Sequence, residues 1–212
     1  MNEIFIVLIK AHTGLGSIAR KITGYEYTHI AVCFNDSFDD FISYSRKRHY
    51  LPFDAGFMHE KRDYYAFGKY ENFKAKIFRI PVDDFHEKKI VNFINECEND
   101  ERQLFNLFSM MTMPVIHGFR IYRTHNCMSF VMRVAELSGA VKPERDYWRY
   151  NIREIDDALG KYFYYEGYLY RISSSGYDNY MKKPAFSEYA ACAFRLISEL
   201  MKRMIFQREK EK

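Results

Sequence analysis

His29 heads the apolar, strand-like run HIAVCF, and Cys127 stands where the helical period of THNCMSFVMRVAELSG begins. An imidazole and a thiol are the two parts of thiol-based acyl transfer: a nucleophile, and a base that later protonates the leaving group. At the first turn of a helix the unpaired backbone N–H groups and the helix dipole favour an anion. A cysteine there is placed to act as a thiolate, and the same amides are placed to stabilise an oxyanion. The residue types leave a second reading open, because a cysteine at a helix start is also common small packing.

The elements that must bring these two residues together follow from periodicity. Ile4 to Lys10 reads as a buried strand, and GSIARKITG as a short helix opened by Ser17 and stopped by Gly24. Thr28 to Phe34 is the histidine strand, and Asp40 to Ser45 runs back beside it as a hairpin. Alternation puts His29, Ala31 and Cys33 on one face, whose small residues would admit the cysteine helix. Arg46 to Asn72 shows no clear period and reads as a long, partly ordered loop. AKIFRI is a strand ended by Pro81, DDFHEKKIVNFINECEND is an amphipathic helix, and LFNLFSMMTM is a helix stopping before Pro114.

Asn126 to Ser138 is the cysteine helix, with Gly139 as its stop, and Asn151 with Glu154 forms a capping box for IREIDDALG. KYFYYEGYLYRI follows as two strands or one bent at Gly167. Residues 1–172 thus form one domain, 173–185 a Ser-, Gly- and Pro-punctuated linker, and 186–212 an amphipathic helix and basic tail. That helix either docks on the domain or pairs with its copy in a homodimer through Leu196, Leu200 and Met204.

A formal charge of +4 over 32 basic and 28 acidic residues gives no electrostatic case for nucleic acid. Four cysteines without a C-x-x-C pair indicate neither a disulfide framework nor a zinc ribbon. The start MNEIFIVLIK lacks the positive charge and length of a signal sequence, and no run reaches the roughly 20 apolar residues of a membrane span. The sequence therefore predicts a soluble, cytoplasmic protein without a cofactor or metal. A zinc site from His29 with Cys33 and His125 with Cys127 is the one metal arrangement the spacing allows, and it matches no finger pattern.

The two local contexts add a resemblance. YTHIAVCFND resembles the histidine strand, and HNCMSFVMRV the cysteine helix, of circularly permuted NlpC-type cysteine hydrolases of papain-like fold, in which His precedes Cys. The likeness covers Ile4 to Ser45 and Phe105 to Gly139. It implies an α+β, papain-like fold with an antiparallel sheet packed against the cysteine helix, Cys127 as nucleophile, His29 as base, and a third polar residue on the following strand. Counting along DFISYS, that residue is Ser43, with Ser45 its alternative on the same face. The same segments are similar to the lecithin:retinol acyltransferase family, whose N-C-x-x-F-V motif is matched by Asn126, Cys127, Phe130 and Val131.

These observations predict a cysteine hydrolase that cleaves an amide in a small peptide or a peptidoglycan-derived fragment. The alternatives are an acyl-ester chemistry of the acyltransferase type and a noncatalytic binding module that kept the fold. Tyr27, just ahead of His29, is a candidate to line the substrate pocket or simply to pack, and Arg46 of SRKRHY a candidate to meet a substrate carboxylate or phosphate.

Overall fold

A computed structural model of the chain describes residues 3–173 and 178–206. The basic tail from Gln207 lies outside the described residues, as does most of the SSSG stretch of the expected linker. In chain order, β1 (Glu3–Ile9) leads to α1 (Gly14–Thr23), β2 (His29–Cys33), β3 (Asp40–Arg48) and β4 (Leu51–Lys61). After a 3-10 turn come β5 (Asn72–Pro81), α2 (Asp84–Asn99), β6 (Leu104–Phe105), α3 (Leu107–Ile116) and β7 (Thr124–His125). The chain continues through α4 (Cys127–Leu137), α5 (Ile152–Leu159), β8 (Phe163–Tyr170), α6 (Asp178–Met181) and α7 (Phe186–Phe206). The result is an α+β molecule. Its main sheet has the order β4-β3-β2-β1-β5-β8 with every pair antiparallel, and β6 and β7 form a small parallel ladder.

Strand β1 sits inside the sheet and is apolar from Ile4 to Ile9 because both faces are covered. Ile4, Ile6 and Leu8 join Ile30, Val32, Ile42 and Tyr44 in a core shared with α2, α4, α5 and α7. Phe5, Val7 and Ile9 join Ala31, Cys33, Phe41 and Phe73 in a second core on the opposite face, completed by Phe38, Tyr65 and Ala66.

This division corrects the expectation that the cysteine helix lies over Ala31 and Cys33. α4 buries Met128, Phe130, Val131, Met132 and Val134, almost its whole circumference, and shares a core with Ile30 and Val32. The small side chains of Ala31 and Cys33 make room instead for the aromatic rings of the second core, since close packing sets small residues opposite large ones.

Three local expectations also change. α1 opens at Thr13, not Ser17, because the Thr13 hydroxyl accepts from the Gly16 amide at 2.9 Å. Gly16 has no room for a side chain there, since a Cβ would stand 3.0 Å from the Ala11 carbonyl oxygen and 3.2 Å from Thr28 Oγ1. Most of the stretch 46–72 is not a loop: β3 runs on to Arg48 and β4 pairs with it along most of its length, from Asp40 opposite Lys61 to Arg48 opposite Leu51. Apart from the turn at 49–50, only residues 65–71 stay outside helix and strand. α3 continues past Pro114 to Ile116, because a proline in the final turn removes one hydrogen bond from a helix that ends at once, at His117 in the left-handed region (φ 51°).

Within the expected linker, α6 places Tyr180 against the ring of Tyr64 (centroids 4.0 Å apart, 8° between planes) and buries it. α7 then lies along β4, with Tyr189 against Phe53 at 5.3 Å. Leu196 and Leu200 are buried in the main core, so two of the three residues expected to serve a homodimer are taken up by the domain itself, while Met204 stays 40% exposed. Arg203 pins the far end by donating to the carbonyls of Tyr122, Arg123 and Arg102. Full burial of a leucine stabilises by about 1.5–3 kcal/mol, so these two anchors supply much of the docking energy. Leu200→Ala is therefore expected to cost about 2–5 kcal/mol in urea unfolding, whereas Val115→Ala, on the exposed side of α3, should stay within about 0.5 kcal/mol; equal small effects would show that α7 does not dock.

Candidate active site

β2 begins at His29, opposite Ile9 where β1 ends, while its other neighbour β3 runs on to Arg48. His29 shares its face with Ile9, Ser43 and Ser45, that is, with the second core. At the end of a strand, however, the sheet no longer separates its two faces. There the imidazole meets groups from both: Cys127, at the first turn of α4, lies near enough for its sulfur to raise the His29 pKa.

On the sheet side, His29 Nε2 donates to Glu60 Oε2 at 2.9 Å, and the two side chains are only 12% and 4% exposed. Ser43 Oγ donates to the same Glu60 oxygen at 2.7 Å and stands 3.2 Å from His29 Nε2. Ser45 Oγ donates to the other carboxylate oxygen. The Tyr65 ring stacks on the imidazole with centroids 5.6 Å apart, and its hydroxyl lies beside Glu60. Since Nε2 is occupied by the carboxylate, Nδ1 is the nitrogen left for the sulfur.

Burial alone would pull the His29 pKa down, but the Glu60 carboxylate and then the Cys127 sulfur outweigh it, and the pKa stands well above the ordinary histidine value. Burial would push the Glu60 carboxyl up, but His29, Ser45 and Tyr65 hold it well below the usual range. At neutral pH the pair is an imidazolium and a carboxylate.

α4 is locally well specified. Asn126 Oδ1 accepts from the Ser129 amide at 2.9 Å while Ser129 Oγ accepts from the Asn126 amide at 3.0 Å, a reciprocal capping box. Phe130 N donates to Asn126 O at 3.0 Å. The first-turn amides that remain for an incoming group are those of Cys127 and Met128.

The structure thus brings together Cys127, His29 and Ser43, and adds Glu60, which reading 46–72 as a loop had concealed. It was legible in part: Leu51, Phe53, Ala55 and Phe57 are apolar at every second position. Tyr27 is buried in the main core and donates its hydroxyl to Glu166 at 2.7 Å. Arg46 lies close enough to Tyr180 to lower its hydroxyl pKa against burial, while Arg48 is engaged with Glu188 at 2.6 Å and Asp54 at 3.4 Å.

The two halves of the zinc arrangement lie in different settings. Cys33 Sγ donates to the Asn35 carbonyl at 3.2 Å in the second core. His125 is enclosed by Tyr44, Phe93 and Tyr147, where burial and then Arg120 and Arg133 bring its pKa down to about 3. Among the described residues no three His, Cys, Asp or Glu side chains are grouped to hold a metal ion. No helix among them is long and apolar enough to cross a membrane. No family model matches the chain, and no curated protein or solved structure matches it.

The raised pKa of His29 carries a sign. Its stabilising contribution is complete below the unfolded value near 6.5 and disappears as pH rises through the higher folded value; that of Glu60 is present above about 4.3 and disappears as pH falls through its depressed value. Urea stability is accordingly expected to decline as pH rises from about 6.5, and Glu60→Gln should flatten that decline while shifting the imidazole NMR titration of His29 downward. An unshifted titration would remove Glu60 as the source of the charge.

Proposed function

We propose that this chain is a cysteine hydrolase of papain-like architecture, related in plan to the permuted NlpC-type enzymes that its histidine and cysteine segments resemble. The observation that carries the reading is the meeting of a helix-start thiol with a histidine whose other ring nitrogen is held by a buried carboxylate. Cys127, His29 and Glu60 then act as nucleophile, proton carrier and positioning residue, with Ser43 and Ser45 fixing the carboxylate.

The thiolate of Cys127, facing the His29 imidazolium, attacks the carbonyl carbon of an amide. The amides of Cys127 and Met128 support the resulting oxyanion. The His29 Nδ1 proton passes to the leaving amine as the C–N bond breaks, leaving a thioester on Cys127 and a neutral imidazole. His29 then takes a proton from water, the hydroxide displaces the acid, and the thiolate and imidazolium are restored. The substrate in this reading is an amide of a small peptide or a peptidoglycan-derived fragment.

A second reading, acyl transfer of the lecithin:retinol acyltransferase type, draws support from α1. This helix starts against Thr28, next to the histidine, and exposes Leu15, Ile18 and Ile22 at one-turn spacing. An acyl-chain substrate would find an apolar surface there. A noncatalytic module would be favoured by a serine as the sole group orienting His29; the Glu60 carboxylate at 2.9 Å from its Nε2 supports the enzyme reading instead.

Exposure to a panel of peptides, acyl esters and iodoacetamide distinguishes these. Intact mass should show an acyl or carbamidomethyl adduct on Cys127 ahead of Cys33, Cys97 and Cys192. His29→Ala should slow labelling by at least about tenfold, since one general acid–base group contributes 10²–10⁴-fold. Slow, equal labelling of the four thiols would overturn the enzyme reading, and turnover confined to acyl esters would select the second.

A further inference from the structure

Asparagine stands at the N-cap of α3, α4 and α5, and its carboxamide is used differently each time. In α3, Asn106 Oδ1 accepts from the Ser109 amide at 3.0 Å and Nδ2 donates to the Phe119 carbonyl at 3.1 Å, so both ends are paired. In α5, Asn151 Oδ1 accepts from the Glu154 amide at 3.0 Å, and the residue is partly open to water. In α4, Asn126 Oδ1 accepts from the Ser129 amide, but Nδ2 is buried without a hydrogen-bond partner among the described residues.

The want of a partner is confined to that one atom. Asn126 N donates to Ser129 Oγ at 3.0 Å, and Asn126 O accepts from Phe130 N at 3.0 Å and from Ser129 Oγ at 3.2 Å. The carboxamide cannot be turned over, since the atom that meets the Ser129 amide has to be an acceptor. A buried donor left unpaired is costly, and native proteins retain few of them. Capping does not require it, because serine and aspartate cap a helix as well as asparagine and carry no NH2 group.

Asn126 is bonded to Cys127, which gives the unpaired donor a chemical reading. The carboxamide stands at the amino end of α4, where the Cys127 and Met128 amides are also unpaired and the helix dipole favours negative charge. An oxyanion develops on the carbon that bonds to Cys127 Sγ, at this same end. Asn126 is 1% exposed and Cys127 6%, so bulk water does not hydrate the donor. A donor already fixed in a dry site has little to reorganise when charge develops, and that is what stabilises a transition state more than a ground state.

Resting on the hydrolase reading of Cys127, we propose that Asn126 is a further catalytic residue, whose Nδ2 donates a hydrogen bond to the oxyanion beside the two backbone amides. The substrate oxygen is the partner that Nδ2 lacks.

Two reagents that draw on the same thiolate separate this role from a structural one. p-Nitrophenyl acetate passes through an oxyanion: its carbonyl carbon bonds to Sγ, and p-nitrophenolate leaves with the electron pair of the broken C–O bond. Iodoacetamide does not, because the sulfur displaces iodide directly. Asn126→Ser keeps the cap and removes the carboxamide, so Cys127 should be acetylated about 10²–10³-fold more slowly than in the native chain. Its iodoacetamide labelling and its cooperative urea unfolding should be unchanged. Asn126→Asp is the second variant, isosteric and also a good cap. Its charge should slow both reactions by disfavouring the thiolate, but the ratio of acetylation to alkylation should still fall by a similar factor. Equal acetylation of the native chain and either folded variant overturns the proposal. So does a loss of both reactions at an unchanged ratio, the mark of a cap that is only structural. A native chain that takes no acetyl group at all loses the hydrolase reading and this assignment with it.

Discussion

A carboxylate and an imidazolium, both almost out of water, set the terms for the rest of this molecule. Removing two charges from solvent costs several kcal/mol for each, and their attraction compensates only where geometry and hydrogen bonding are nearly complete. Glu60 reaches that state because its two oxygens accept from His29, Ser43 and Ser45, with the Tyr65 hydroxyl alongside. These groups come from β2, β3, β4 and the segment after β4, so a one-residue slip of any strand would turn its members to the other face and leave a buried charge unpaired. The register of this end of the sheet and the integrity of the site are therefore one constraint.

The two cores divide the labour. The main core anchors α4 on nearly every side and so holds Cys127 at a fixed height above the end of β2. On the face of the second core lies Glu60, the charged partner of the histidine, with Tyr65 stacked on the imidazole. His29 borders both because it is the first residue of its strand, and there a ring oriented from one face can meet a sulfur brought by the other. In the proposed reading, that placement gives one nitrogen to orientation and the other to proton transfer, the arrangement a thiol–imidazole pair needs to pass a proton in both directions.

Much of this was legible locally. Strands around Ile6, Val32 and Ile77, the amphipathic α2, the helix beginning at Cys127 and the Asn151–Glu154 capping box all follow from periodicity and capping chemistry, which act over a few residues. β4 escaped because Pro52, Gly56 and the charges Asp54, Glu60 and Lys61 interrupt its alternation. Strand preference is largely a matter of what packs alongside, and β4 is an edge strand whose apolar side is covered by α7, an element about 140 residues on. The resemblance, counted along β3, gave Ser43 the orienting role, and Ser43 does contact His29, but from beside the Glu60 carboxylate that dominates it.

By itself the sequence determined which residues could be chemical partners and the short elements carrying them, because a helix start, a strand alternation and a cap depend on neighbours along the chain. The tertiary structure alone decided that α4 covers Ile30 and Val32 rather than Ala31 and Cys33, that Glu60 holds His29, and that α7 turns Leu196 inward and Phe194 outward. Each of those outcomes is a choice between faces, and a face is chosen by the volume and charge of residues far away in sequence, which no local pattern encodes.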